Sequence, residues 1–421
     1  MFTTILTVRH VLSDKTQGSF DTDEFETKSH SKTFIGLWFS GFCYFMALGF
    51  VSPFMPLLLQ SSKLTYFEIG VIYMIGLIFP ILLQTFWGNI TDKTGRKTII
   101  ILAVAVASVV SAVYPHASSF IQFLTLVLLW NTFVSAATTA TPALAVDTVG
   151  STDVGKFFGR YRISGSIGWI ISTAIGGLVS TSFGIEVVFY LASAFFWLSA
   201  IIIKVSVSEQ PKIKIDDKKG NFQFVRNKNF LMFLLTIFMV NISATTFSNF
   251  LSLYTRELGG SDAIVGLAFS IAALAEVPCM VYFGAVSDKI GRKVLVAAAL
   301  FIYPLRLYLY TTAKHPYLIL PIQLLHGFTF GMLYVSSIAF VSDIAPEGKG
   351  TALGLYNSFS SAGLAVGSGI AGAISNSYGM IAMYQFMAVF SLAPAFFFAF
   401  AVKETLRVEH KIGDKKHMRE R

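Results

Sequence analysis

The chain is predicted to fold as an all-α integral membrane protein, with twelve transmembrane helices in two pseudo-symmetric six-helix bundles. Three observations carry that prediction. Hydrophobic residues make up 54% of the 421 positions and charged residues only 13%, against roughly 25% charged in soluble domains. Its apolar runs reach the roughly 20 residues that a helix needs to cross the hydrocarbon core, and the short alternating segments of a transmembrane barrel are not evident. Finally, Asp92-Lys93-Thr94-Gly95-Arg96-Lys97 returns as Asp288-Lys289-Ile290-Gly291-Arg292-Lys293, 196 residues later. Both copies lie between long apolar runs, so one structural unit has been used twice.

Taken in order, residues 1–33 form a polar cytoplasmic tail. A brief apolar start is followed by Arg9, His10 and a polar run, without the apolar core and cleavage site of a signal peptide. Spans are expected at 34–60, 67–88, 98–115, 119–143, 157–181 and 185–205, giving an N-terminal bundle over 34–205. A Lys- and Asp-rich linker occupies 206–229. The second bundle, 230–402, has spans at 230–254, 263–286, 294–313, 317–342, 351–375 and 380–402. A basic tail, 403–421, closes the chain. Pro53, Pro56 and Pro278 are expected to kink helices around a cavity.

The net charge of +9 invites a nucleic-acid partner, but its placement argues against one. Only Lys63, Arg256 and Lys314 fall in loops on one side of this arrangement, and Arg306 lies within a span. Every other Lys and Arg falls on the opposite side or in the tails. That is the positive-inside distribution, so both termini are expected in the cytoplasm and the protein in the cytoplasmic membrane. Cys43 and Cys279 sit in apolar runs without metal spacing, and no cofactor or metal is expected.

The repeat holds its register beyond the loop. Asp147 and Asp343 close the fourth and tenth spans 196 residues apart, and Gly159-Arg160-Tyr161 is matched by Gly354-Leu355-Tyr356 at an offset of 195. Within the loops, Gly95 and Gly291 permit a tight reversal between antiparallel helices. Asp92 can face the positive start of the eleventh span, and Asp288 that of the fifth. Arg96 can pair with Asp147, and Arg292 with Asp343. Such contacts would form a gate that shuts the cytoplasmic side; the alternative is charges that only set topology. Glycines stud the fifth and eleventh spans, among them Gly177 and Gly372, and suit close helix approach.

The loop Gly88–Lys97 and its copy Gly284–Lys293 resemble the signature of the major facilitator superfamily, and the resemblance covers roughly 34–402. It implies transport of a small molecule by alternating access.

Charges inside hydrocarbon are costly and tend to be functional. Glu276 lies 12 residues before Asp288, and Arg306 lies 13 after Lys293, so both rise roughly 18–20 Å from the same turn. They are expected as a pair near the midplane with His326 nearby, able to exchange a proton. A buried structural ion pair is the alternative. The equivalent N-terminal positions are Pro80, Val110 and Trp130, which confines the charge to one half.

Here the chain is more specifically similar to the lactose-permease-like branch. Phe158–Trp169 is similar to that branch's fifth-helix motif, and Ala275–Pro278, Leu305-Arg306 and Gln323–Gly327 to its eighth, ninth and tenth. The resemblance implies that Arg162 contacts substrate and that Glu276, Arg306 and His326 serve binding and proton coupling. Thr329 stands where the branch has a coupling glutamate, and Ala143–Val146 offers no carboxylate to partner Arg162. In the N-terminal half, Trp38, Tyr44, Trp130 and Asn131 suit the wall of a cavity for sugars, nucleosides or aromatic acids.

The expected function is therefore proton-coupled symport of a small organic solute by a monomer in the lipid bilayer. A proton-driven multidrug exporter and a non-transporting solute receptor are the alternatives. No nucleophile–base pair or phosphate-cradling loop suggests an enzyme.

Overall fold

The computed structural model describes residues 22–149, 154–207, 222–346 and 348–406. We number the spans α1 to α12. In the first half α1 runs Thr22–Val51 and resumes as Met55–Ser61, broken by a turn at Pro53. It is followed by α2 (Tyr66–Thr94), α3 (Arg96–Val113), α4 (Phe120–Val149), α5 (Val154–Phe183) and α6 (Ile185–Ser206). In the second half α7 runs Lys228–Glu257, then come α8 (Asp262–Ile290), α9 (Arg292–Thr312), α10 (Pro316–Ile344), α11 (Lys349–Tyr378) and α12 (Met380–Ala401). Most of the expected linker and the outer parts of both tails lie outside the described residues.

Local chemistry sets these boundaries. Thr65 and Glu68 form a reciprocal capping box at the start of α2, with Oγ1 accepting from the Glu68 N–H at 3.2 Å and the Thr65 N–H donating to Oε2 at 2.8 Å. Gly95 and Gly291 turn the chain at φ of 106° and 111°, a backbone region that favours glycine. Large apolar side chains such as Leu82, Val281 and Phe400 stay exposed on the outer faces, as a lipid solvent allows.

By length and hydropathy, eleven helices among the described residues can cross a membrane. The twelfth, α11, has 30 residues and a high Gly and Ser content. Small residues dilute its hydropathy because it is packed against both α2 and α7.

Packing repeats between the halves. In the first, α1 packs on α5 and α6, and α4 on α2 and α3. In the second, α7 packs on α11 and α12, and α10 on α8 and α9. Two crossings related by the same symmetry, α2 on α11 and α5 on α8, join the bundles.

Among the described residues, contacts between the halves gather at the end away from the motif loops, here the far end. Ser252 donates to the Pro53 carbonyl (2.6 Å), Tyr66 to Glu257 (3.1 Å) and Ser180 to Asp262 (2.6 Å), while the Ala263 N–H donates to Thr181 (3.0 Å). The helices cross there at glycine. A Cβ at Gly372 would sit 2.9 Å from the Gly70 Cα, and one at Gly266 2.9 Å from the Gly177 Cα, closer than carbon atoms tolerate. The other α5 and α11 glycines mainly admit α1 and α7, so the glycine pattern serves both bundle packing and the seam.

Gly372→Leu is therefore expected to wedge α2 from α11 and keep the far end from closing. Labelling of Ser52→Cys by an impermeant maleimide, on a background without Cys43 and Cys279, should rise severalfold. Unchanged labelling would show that the seam yields.

Candidate functional site

A cavity runs along the seam as two adjoining chambers. The one nearer the motif loops, about 330 Å³, is lined by Phe45, Arg162, Trp169, Glu276, Tyr303 and His326 among others. The one nearer the far end, about 270 Å³, is lined by Ser52, Tyr73, Trp130, Asn131, Trp169 and Asn249 among others. Trp169, Phe247, Ser248 and Phe269 border both.

Glu276 and Arg306 do not pair. Because α8 packs on α5 across the seam, Glu276 meets Arg162, with Arg162 Nη2 donating to Oε1 at 3.2 Å. The Glu276 side chain is 14% exposed and that of Arg162 51%. This is the ion pair that links the two bundles at the cavity. Because α9 packs on α10 and α12 instead, Arg306 turns toward α10.

Arg306 is 1% exposed. Its Nη1 donates to His326 Nδ1 at 2.8 Å and to Thr329 Oγ1 at 3.0 Å, and Nη2 donates to Gln323 Oε1 at 3.0 Å. Rings add to this: its Cζ lies 4.9 Å from the centre of Phe247 and 5.8 Å from that of Tyr310. A guanidinium only donates, so Nδ1 of His326 is the acceptor and the neutral imidazole carries its proton on Nε2. Phe247 stacks on His326 at 4.3 Å, and Phe330 at 5.2 Å. Both phenylalanines lie in π-helical segments, Thr246–Phe250 and Gly327–Met332. Such segments are rare and are frequently found at functional sites.

The expected cavity residues of the N-terminal half divide. Trp130 and Asn131 line the far chamber. Tyr44 is buried inside the first bundle against Phe196, and its hydroxyl has no partner. Trp38 is not in the lining of either chamber; it meets Phe39 edge-to-face and stacks on Phe42, both of its own helix.

At the motif loops, Arg292 Nε donates to Asp343 at 3.2 Å, as its spacing suggested, and Nη2 pairs with Asp288 at 2.6 Å. Asp288 was expected to face the start of α5, whose first side chains lie outside the described ones; its own side chain is 68% exposed. Its carboxylate pairs across the Gly291 reversal with the arginine that begins α9. The side chains of Asp92 and Asp147 lie outside the described ones, and with them the expected pairing of Arg96.

A residue that sequence reasoning missed completes this loop. Glu404 accepts from the backbone N–H groups of Arg292 (3.1 Å) and Lys293 (3.0 Å), and Thr405 donates to Asp343 (3.2 Å). A carboxylate at a helix N-terminus is favourable, so the segment after α12 fastens the start of α9. Glu404→Ala should cost about 0.5–2 kcal/mol, the range for losing a helix cap, read as a lower melting temperature with solute binding unchanged.

The comparisons with known proteins agree with this architecture. The chain is 26% identical over 367 residues to an uncharacterized MFS-type transporter of Methanocaldococcus jannaschii, covering 85% of this chain and 94% of the relative. It is 27% identical to the multi-drug resistance efflux pump PmrA of Streptococcus pneumoniae, over 82% of this chain and 90% of the pump. Among solved structures, a mutant of the nucleoside transporter NupG superposes with a TM-score of 0.79 at 15% identity, covering 88% of this chain and all of that one. The model of the MFS_1 like family matches residues 35–386. Twelve helices in two repeated bundles, a cavity along their seam and that match together identify the chain as a member of the MFS_1 like family of transporters.

Proposed function

We propose that this protein is a secondary active transporter that moves a small organic solute by alternating access, in symport with protons. One observation supports the coupling most: the Arg162–Glu276 pair belongs to both bundles and lies in the cavity wall. A shielded carboxylate is tolerated when paired and takes a proton when its partner leaves. Rocking of the bundles about the α2–α11 and α5–α8 crossings changes that pairing. Solute that engages Arg162 competes with Glu276 for it, so solute and proton bind together. Asp92, Arg96, Asp147, Asp288, Arg292 and Asp343 form the gate at the motif loops in this reading. Those loops and both termini face the cytoplasm, following the basic residues.

Export is the second reading. The far chamber is walled mainly by apolar and aromatic side chains, and PmrA is a multi-drug efflux pump. The charge of the solute separates the two. A cationic compound would compete with the proton for Glu276 and drive antiport; a solute that takes Arg162 would favour symport.

The test uses purified protein in liposomes with a trapped pH dye, challenged with sugars, nucleosides, aromatic acids and cationic dyes. Acidification of the lumen that accompanies uptake of one polar class supports symport. Proton movement opposite to cationic dyes supports export, and saturable binding without flux leaves only a receptor.

A further inference from the structure

We infer that the chamber beside His326 binds the anionic end of an amphipathic ring compound, with Arg306 as its buried counter-charge. This inference rests on the reading that the seam cavity is the solute path, and it names the solute's chemical class.

The charge inventory of the chamber carries it. Arg162 and Glu276 line the wall and neutralise each other. Arg306, just behind the wall, has no such partner. Its acceptors are an imidazole, a hydroxyl and an amide, all neutral, and its Nε has no partner at all. Among the described residues no carboxylate pairs with it. A fixed cation in hydrocarbon surroundings is expensive to hold on dipoles alone. The wall therefore keeps one positive charge uncompensated, and an anion in the chamber supplies what is missing.

Geometry shows how a charge that does not touch the cavity reaches into it. Arg306 occupies Nδ1 of His326, which leaves Nε2–H as the imidazole's free donor. The ring is clamped between Phe247 and Phe330 and lines the chamber. Hydrogen bonds in a chain polarise one another, so the guanidinium strengthens the imidazole as a donor to an anionic oxygen. Trp169, Phe247 and Phe269 border both chambers and offer faces to an aromatic body extending toward Trp130 and Asn131. A cavity of this size suits a one- or two-ring compound.

Carboxylates and phosphate monoesters share this chemistry, and the test separates them. Calorimetric titration of the purified full chain in detergent would use four probes: 1-naphthoate, 1-naphthyl phosphate, 1-naphthamide and 1-naphthylmethylamine. We expect one or both acids to bind at least about tenfold more tightly than the amide and the amine, the range for a charge-assisted hydrogen bond. Which acid wins names the source. His326→Leu should abolish the preference, and His326→Gln, which restores a side-chain donor, should recover part of it. Arg306→Lys keeps the charge without the fork and should reduce it. Equal or tighter binding of the amide or amine, retention of the preference by His326→Leu, or no binding of any probe would overturn the inference. Equilibrium binding needs no proton gradient. Acid preference without proton flux in liposomes would sink the coupling and leave this site standing, and the converse result would do the reverse.

Discussion

Replacing Glu276 with glutamine is expected to abolish accumulation of solute against its gradient while leaving exchange across the membrane intact. The amide keeps the size and hydrogen-bonding edge of the carboxyl but neither carries the charge that holds Arg162 nor releases a proton at neutral pH. The cavity then behaves as though permanently protonated: the bundles rock with solute bound, and no proton moves with it. Counterflow of labelled solute should stay within a few-fold of wild type, and pH-driven uptake should fall to background. Glu276→Asp keeps the charge on a shorter arm and should retain partial coupling. Loss of counterflow together with uptake would show instead that the pair is architectural. Arg162 is the matching half of the test. Its side chain is half exposed, so Arg162→Gln should leave stability nearly unchanged while weakening solute binding and freeing Glu276 from its partner.

Arg306→Met should produce the largest loss of stability. The guanidinium makes three hydrogen bonds to side chains of α10, at His326, Gln323 and Thr329. Removing it strands these acceptors in a dry interior, and each unmet buried group costs about 1–3 kcal/mol. Partial relaxation, including the existing Gln323–Tyr310 bonds at 3.0 and 3.2 Å, limits the sum to about 2–4 kcal/mol by the same scale. Arg306→Lys keeps the charge but cannot serve three acceptors from one ammonium in the same plane, so it should fall between. Thermal unfolding in detergent reads both variants. A melting temperature unchanged in Arg306→Met would mean that the network does not hold α9 to α10.

The fold was legible because its signals are local. The returning Asp-Lys-x-Gly-Arg-Lys loop, the long apolar runs and the paired glycines all sit in contiguous sequence, and bundle packing follows from them. α11 shows the limit of hydropathy: a helix packed on two neighbours through glycine and serine has the length of a span without its apolarity. Charges in the membrane were legible too, since Glu276, Arg306 and His326 stand out against leucine and phenylalanine. Their partners were not. Counting residues from a turn gives height along a helix but not the direction a side chain faces. That direction depends on α8 lying against α5 and α9 against α10, which no local pattern records. Trp169 and Phe247 were hidden for another reason: with 15% of the chain aromatic, two rings that border both chambers look like any others. Glu404 lies beyond the last span, where only contact with the start of α9 gives it a role.

In the proposed coupling, solute binding transfers Arg162 from Glu276 and places a proton on the carboxyl. Infrared difference spectroscopy tests it directly, using whichever solute the liposome panel identifies and the protein at neutral pH in lipid. Solute addition should produce a protonated-carboxyl stretch that shifts in D₂O and is absent from Glu276→Gln. A difference spectrum with no such band in wild type, from protein shown to bind that solute, would rule out proton uptake at Glu276.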